Sequence, residues 1–274
     1  MEFGTRWLLR KMKIHPNAYY NYKKNRKSAY LEQKKIIQEK MLQIYHEYSG
    51  NPGYRMMQIY LRRAGVTLSH TTVLKYMQEL KIKSTVMPRK PSYKKGECYK
   101  RFSNILNREF DASRPNEKWC TDFTYLFMDD GRKRYNCSII DLYDKSAVAT
   151  MNSNHIDATL AIKTLELALK KNNYPENILL HSDQGSQYTS QAFTEFCEMH
   201  NIKQSMSKSG CPYDNSPMES FYGTFKGEFI NKHRFKSDEE LDTETENYVY
   251  GYYNHTRPHS SNGYLTPYEK RHVK

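Results

Sequence analysis

Asn177-Ile178-Leu179-Leu180-His181-Ser182-Asp183-Gln184-Gly185 is the stretch whose reading decides the fold, together with Ser216-Pro217-Met218-Glu219, which leaves thirty-five residues between Asp183 and Glu219. The apolar run before His181 is bounded by Asn177 and Gly185 and is too short for a helix. It reads as a buried strand with Asp183 at its exit, where α/β proteins keep their chemistry. Downstream, Phe193, Phe196, Cys197 and His200 recur at helical spacing, Ile202 to Met206 reads as a short strand, and Ser209-Gly210-Cys211-Pro212 breaks the chain. A second helix then starts. Ser216 suits its N-cap and Pro217 its first position, and Met218, Phe221, Tyr222, Phe225 and Phe229 form one apolar stripe. Glu219 falls in the first turn, and Lys226, seven residues on, returns to nearly the same face. Two bland readings compete. Ser216-x-x-Glu219 also spells a capping box, and Asp183 before Gln184-Gly185 could be an Asx-turn residue.

A third carboxylate favours chemistry. Asp122 lies within Trp119-Cys120-Thr121-Asp122-Phe123-Thr124-Tyr125-Leu126, a run of β-formers in which aspartate is depleted and costly to bury without a partner or a metal. Lys133 to Leu142 and Ala147 to Asn152 read as further strands after turns at Asp129-Asp130-Gly131-Arg132 and Asp144-Lys145, making an antiparallel meander. A helix from Asp157 to Lys171 precedes the strand that ends at Asp183. The order is βββαβαβα. Asp141, Asp144 and Asp214 are of the same residue type but read as decoys, of which Asp141, late in the second strand, is the one expected to neighbour the site.

These residues carry a resemblance. Trp119-x-Thr121-Asp122-x-Thr124-Tyr125, His181-Ser182-Asp183-Gln184-Gly185-Ser186-Gln187-Tyr188, Asp214-Asn215-x-x-Met218-Glu219-Ser220-Phe221 and Tyr253-Asn254-x-x-Arg257-Pro258-His259 resemble the OrfB-type transposases of the insertion-sequence-three family, nearly end to end. The resemblance implies a ribonuclease-H-like α/β core with a mixed five-stranded sheet, akin to retroviral integrase. It also implies catalysis by Asp122, Asp183 and Glu219, holding two Mg2+ ions, with Mn2+ as a substitute. Asp122 would bridge the ions, Asp183 would hold one and Glu219 the other, and Lys226 would hold a DNA phosphate. The upstream reading-frame product, as fusion or partner, and a homo-oligomer on DNA are implied as well.

Charge divides the 274 residues. Residues 1–116 hold 25 Lys+Arg and 8 Asp+Glu, and residues 117–274 hold 18 and 22. The basic part suits a phosphate backbone and the carboxylate-bearing part suits metal. Three regions are expected: a helical DNA-binding region over 1–82, a basic linker over 83–116, and a catalytic domain over 117–274 with a C-terminal helix, Glu239 to Tyr253, and an irregular tail.

Within the first region a long helix from Lys35 ends at Gly50-Asn51-Pro52-Gly53. Tyr54 to Ala64 and Thr71 to Lys81 follow, the latter capped by Ser69 with Val73, Leu74, Met77 and Leu80 inward. This reads as a helix-turn-helix, in which Ser69, Thr71, Thr72 and Lys75, with His70, would meet bases while Arg62 and Arg63 hold phosphates. Tyrosines beside lysines before Lys35 can line nucleic acid or simply pack.

Five widely spaced cysteines without a C-x-x-C pair argue for free thiols, and His15, His46, His70, Cys98 and Cys120 show no zinc spacing. No apolar run reaches membrane-spanning length and no signal peptide opens the chain, so a cytoplasmic, nucleoid-associated bacterial protein is expected. No stretch sustains a heptad pattern for a dimerising coiled coil. The reading is a DNA transposase that nicks element ends and transfers the freed strand. A structure-selective nuclease on the same fold, and a non-catalytic DNA-binding regulator, are the alternatives.

Overall fold

The computed structural model describes residues 4–86, 102–208 and 210–273, which fall into two compact units divided after Val86. Residues 87–101, the first half of the expected linker and the position of Cys98, lie outside the described residues, as does Ser209.

The first unit is helical: α1 (Thr5–Lys11), α2 (Pro16–Lys23), α3 (Arg26–Glu47), α4 (Tyr54–Arg63) and α5 (His70–Glu79). Met41 and Ile44 of α3, Met57, Tyr60 and Leu61 of α4, and Val73, Tyr76 and Met77 of α5 close one small core. Each set follows the three-to-four-residue spacing that places side chains on one helix face. Leu74, expected inward, is 40% exposed, because Val73, Tyr76 and Met77 already define the buried face and Leu74 falls off it. Ser69 caps α5 as expected, its hydroxyl accepting the Thr72 N–H at 3.2 Å.

The second unit is built on a five-stranded sheet, β1 (Lys118–Phe127), β2 (Lys133–Asp141), β3 (Ala147–Ser153), β4 (Leu179–Ser182) and β5 (Lys203–Met206), in spatial order β3-β2-β1-β4-β5. β1, β2 and β3 form the antiparallel meander, whereas β4 joins β1, and β5 joins β4, in parallel. The helices are α6 (Ala158–Lys171), α7 (Gln191–Met199), α8 (Ser216–Glu228), α9 (Asp238–Glu246) and α10 (Pro267–His272). Alternation along the strands sorts the core onto two faces. Trp119 and Ile139 pack with α6 and α7, while Cys120 and Ile140 pack with α8 and the segment after α9.

Three expectations change here. Residues 102–116, read as linker, pack onto this unit: Leu106 is buried, Phe110 lies against the same core, and the Ile105 and Leu106 amides both donate to Ser205 Oγ at 2.9 Å. The C-terminal helix stops at Glu246 and continues as a π-helix over Asn247–Tyr253. The tail is not wholly irregular, since Thr266 and Glu269 close a capping box on α10. From α10, Arg271 reaches the buried carboxylates of Asp141, at 2.5 Å, and Asp144.

Candidate active site

Parallel pairing sets Cys120 of β1 opposite His181 of β4. Asp122 and Asp183 each lie two residues further along, so the register carries them level at one end of adjoining strands, which run about 4.8 Å apart. β4 ends at Ser182, which leaves Asp183 at its exit.

α8 is tied to the same point of β1. Asn215 Nδ2, at its cap, donates to the Thr121 carbonyl at 3.2 Å, and the buried Tyr222 hydroxyl donates to the Asp122 carbonyl at 2.7 Å. Glu219, three residues before Tyr222, is its neighbour on the helix surface and is exposed. Lys226 sits two turns from Glu219, half-buried. The helix begins one residue earlier than expected: Asn215 holds the cap position and makes no side-chain cap bond. Ser216 is therefore a helical residue, and the S-x-x-E box has no serine at the cap to close on.

Local bonds orient the carboxylates. Asp122 Oδ1 accepts the Phe123 N–H at 2.8 Å, and Asp183 Oδ1 accepts the Gly185 N–H at 2.9 Å. The Asp183 residue is exposed at the surface, yet the protein packed beneath it desolvates its carboxyl and raises it above the usual range, against the Gly185 hydrogen bond, which lowers it. Gly185 sits in tight space: a Cβ there would stand 2.8 Å from Gln187 Oε1 and 2.9 Å from Asp183 Oδ1, so those side-chain ends would have to move. Tyr188, fully buried, bonds Thr121 Oγ1 at 3.1 Å. Its hydroxyl is pushed well above the usual range, first by burial and then by charges that include both Asp122 and Asp183.

Behind Asp183, His181 is buried, with Nδ1 2.9 Å from Ser205 Oγ and Nε2 3.0 Å from Ser207 Oγ. Ser205 Oγ already accepts two amides, so its own hydrogen goes to Nδ1, and Nε2–H donates to Ser207. Burial pushes this imidazole down to about 4, consistent with the neutral ring that those partners require.

Among the described residues, no three His, Cys, Asp or Glu side chains are gathered closely enough to hold a metal ion. The backbone brings Asp122 and Asp183 level and ties the helix of Glu219 beside them. Asp141, expected near the site, is not there. It pairs with Trp119, three positions back along β1 from Asp122, or about 10 Å at strand rise, and its carboxylate takes the Asn116 N–H at 2.7 Å as well as Arg271. Asp214 is likewise structural, holding Arg108 at 2.7 Å and Asn104 at 2.9 Å. Tyr188 and Tyr222 were legible only as core aromatics, since nothing in their spacing says which hydroxyl meets β1.

In the first unit Arg62, Arg63, Ser69, Thr71 and Lys75 are exposed and Thr72 is half-buried. The Ser69 hydroxyl also meets those of Thr71 at 2.9 Å and Thr72 at 2.8 Å, so part of that hydroxyl set is engaged in the cap.

This sheet order, flanked by helices and with two aspartates level at its end, is a ribonuclease-H-like core of the integrase type. Residues 112–212 and 200–267 match the integrase core domain, and residues 31–91 match an HTH-like domain. The putative transposase InsK for insertion sequence element IS150 of Escherichia coli (strain K12) is 36% identical over 266 residues, 96% of this chain and 92% of that protein. Transposase InsF for insertion sequence IS3A of the same organism is 38% identical over 164 residues, 60% of this chain and 57% of its own length. Among solved structures, a simian T-cell lymphotropic virus intasome in complex with PP2A regulatory subunit B56 gamma shares the fold at 16% identity and a TM-score of 0.50, covering 85% of this chain and 75% of that one. The chain belongs to the insertion-sequence transposases of the IS3 and IS150 kind, and its function is DNA transposition. Among the described residues, no helix is long and apolar enough to cross a membrane.

Proposed function

We propose that this transposase nicks the ends of its element to free 3′-hydroxyls and joins those hydroxyls to target DNA, with Asp122, Asp183 and Glu219 as the catalytic carboxylates. The observation that carries this reading is the level register of Asp122 and Asp183, with α8 anchored through Tyr222 to the carbonyl of Asp122 itself. Three oxygen donors, of which Asp183 and Glu219 are exposed, suit a hard divalent cation that keeps much of its water. Two Mg2+ ions, replaceable by Mn2+, would be held there and would neutralise charge on the attacking and leaving oxygens.

The chain's own residues prepare that site. Tyr222 and Asn215 fix α8 against β1, Gly185 allows the close turn that aims Asp183, and the neutral His181 holds the β4 exit to β5 through Ser205 and Ser207. Lys226, two turns along α8 from Glu219, holds a phosphate of the bound strand. In the first unit Arg62 and Arg63 take phosphates, while Ser69, Thr71, Thr72 and Lys75 face base edges. The enzyme works as a homo-oligomer on DNA with the upstream reading-frame product, in the bacterial nucleoid.

The test is strand cleavage and strand joining on labelled terminal-repeat DNA in magnesium. Asp183→Asn should bind DNA as the parent does and neither cut nor join. Cutting without joining by the parent chain would instead support the structure-selective nuclease.

A further inference from the structure

Residues 5–36 contain ten basic residues and a single acidic one, Glu32. They form α1, α2 and the first half of α3, and Leu9 is the only buried side chain among those described there. The core shared with α4 and α5 begins further along α3, at Ile37 and Met41. What the first stretch carries instead is outward: Tyr22 is 83% exposed, Met12 66%, Ile36 61% and Tyr30 55%. At the junction of α2 and α3, where Asn25 turns the chain at a φ of 50°, a groove of about 640 Å³ is lined by Tyr22, Lys27, Ser28, Leu31 and Lys35, with Glu32.

A merely solvated face does not require exposed tyrosines and aliphatics, and the centres of protein interfaces are depleted in lysine. Cations interleaved with exposed rings are what nucleic acid takes, the cations along its phosphates and the rings as flat apolar surface beside them. The cations are also available. Lys34 is committed to Glu79 of α5 at 2.6 Å, but among the described residues no ion pair engages Lys23, Lys24 or Lys27. The patch is distinct from the recognition end of α5. α3 meets α5 through Tyr30, whose hydroxyl lies 3.4 Å from that of Tyr76, and through Lys34 and Gln38 on Glu79, which leaves Ser69, Thr71 and Thr72 clear.

We infer that residues 5–36 are a second, sequence-independent DNA-binding arm, which grips the duplex backbone outside the segment read by α5. The inference rests on the DNA-binding reading of this unit, but it assigns affinity and base preference to different residues. The full chain supplies the test, by titration of two unrelated duplexes over a range of salt. Changing Lys23, Lys24 and Lys27 together to Gln should lower the slope of log affinity against log salt by about 2 to 3, at about 0.9 for each phosphate no longer neutralised, and equally for both duplexes. The matching change to Arg should preserve the slope, which separates lost charge from lost folding. Tyr22→Ala should weaken both duplexes with the slope retained. Thr72→Ala with Lys75→Ala should alter preference between duplexes and leave the arm's contribution intact, so a failed recognition helix and a failed arm look different. A slope changed by less than ~0.5 in the Gln variant overturns the inference. So does an unchanged slope accompanied by loss of self-association, which would make the patch a protein interface.

Discussion

Two sets of carboxylates on one sheet meet opposite fates. Asp141 and Asp144 are fully buried, share the guanidinium of Arg271, and collect backbone amides from Asn116, Tyr143 and Ser146. Asp183 and Glu219 are exposed, and Asp122 is half-buried at the level where β4 ends. In sequence all five are acids in or beside β-rich or helical segments. What separates them is depth. Buried carboxylates need a cation, because an unpaired buried charge costs several kcal/mol, whereas carboxylates nearer the surface keep part of their hydration. The first set holds the molecule together, and the second is the one we propose for the chemistry.

The largest effect that would break this comparison is in activity. Asp183→Asn, Asp122→Asn or Glu219→Gln should each lower strand cutting and joining by at least about 10³-fold, while thermal unfolding shifts little. Loss of folding by these variants with proportionate loss of activity would move them into the structural set.

Arg271→Met should do the converse. Removing the cation leaves two buried carboxylates facing each other, and breaking such a pair costs about 3 to 5 kcal/mol of stability, measurable by denaturant unfolding. Adding Asp141→Asn should recover part of that loss. The Asp141 carboxyl is itself pushed up from 3.8 to about 6, by burial first and then by the charge of Asp144, against the pull of Arg271. The folded state therefore takes up a proton that the unfolded chain has already released. This site's stabilisation is complete below about pH 4 and fades as the pH rises through 6. Stability plotted against pH should show that decline in the parent and lose it in Asp141→Asn.

The places of Asp122, Asp183 and Glu219 along their strands and helix were more legible in the sequence than the surroundings of Asp141 and Asp144. β-propensity and turn residues marked all five strands, and the burial of Asp122 in such a run raised the question of its partner. What spacing could not supply was the third dimension. Asp141 is three positions out of register with Asp122, a fact that exists only once β1 and β2 pair. Its partner Arg271 is 130 residues away in a tail that reads as polar and irregular. The tail's signature residues become intelligible the same way. Asn254 clamps the backbone of Ala147 with both ends of its amide, each at 2.9 Å, and Arg257 grips Glu228 at the far end of α8 with two hydrogen bonds. Residues 102–116 misled for a related reason: the basic residues of the expected linker are concentrated in 83–101 and coloured the reading of the whole stretch, while side chains such as Leu106 do the packing.

Gly185→Ala should sharpen the comparison at a smaller scale. The added methyl would meet Asp183 Oδ1 and Gln187 Oε1 at under 3 Å, so those side-chain ends must move, the Asp183 carboxylate among them. A displacement near 1 Å in a reacting group costs about 10²-fold, so activity should fall by roughly that factor with DNA affinity unchanged. Parent-like activity would mean that the aim of Asp183 is not set by this turn.

The smallest effect tests what Glu219 is for. If Ser216 were the N-cap of α8, with Glu219 closing its box, Ser216→Ala would cost about 0.5 to 2 kcal/mol. Ser216 instead lies inside the helix, and Asn215 at the cap position is engaged with the Thr121 carbonyl. Ser216→Ala should therefore change stability by less than about 0.5 kcal/mol, as surface substitutions away from caps do. Thr266→Ala supplies the control, because Thr266 and Glu269 do close a capping box on α10, the helix that carries Arg271. That change should cost about 1 kcal/mol. If the two losses come out equal, the first turn of α8 is held by its serine, Glu219 returns to the structural set, and the open site is left with two aspartates.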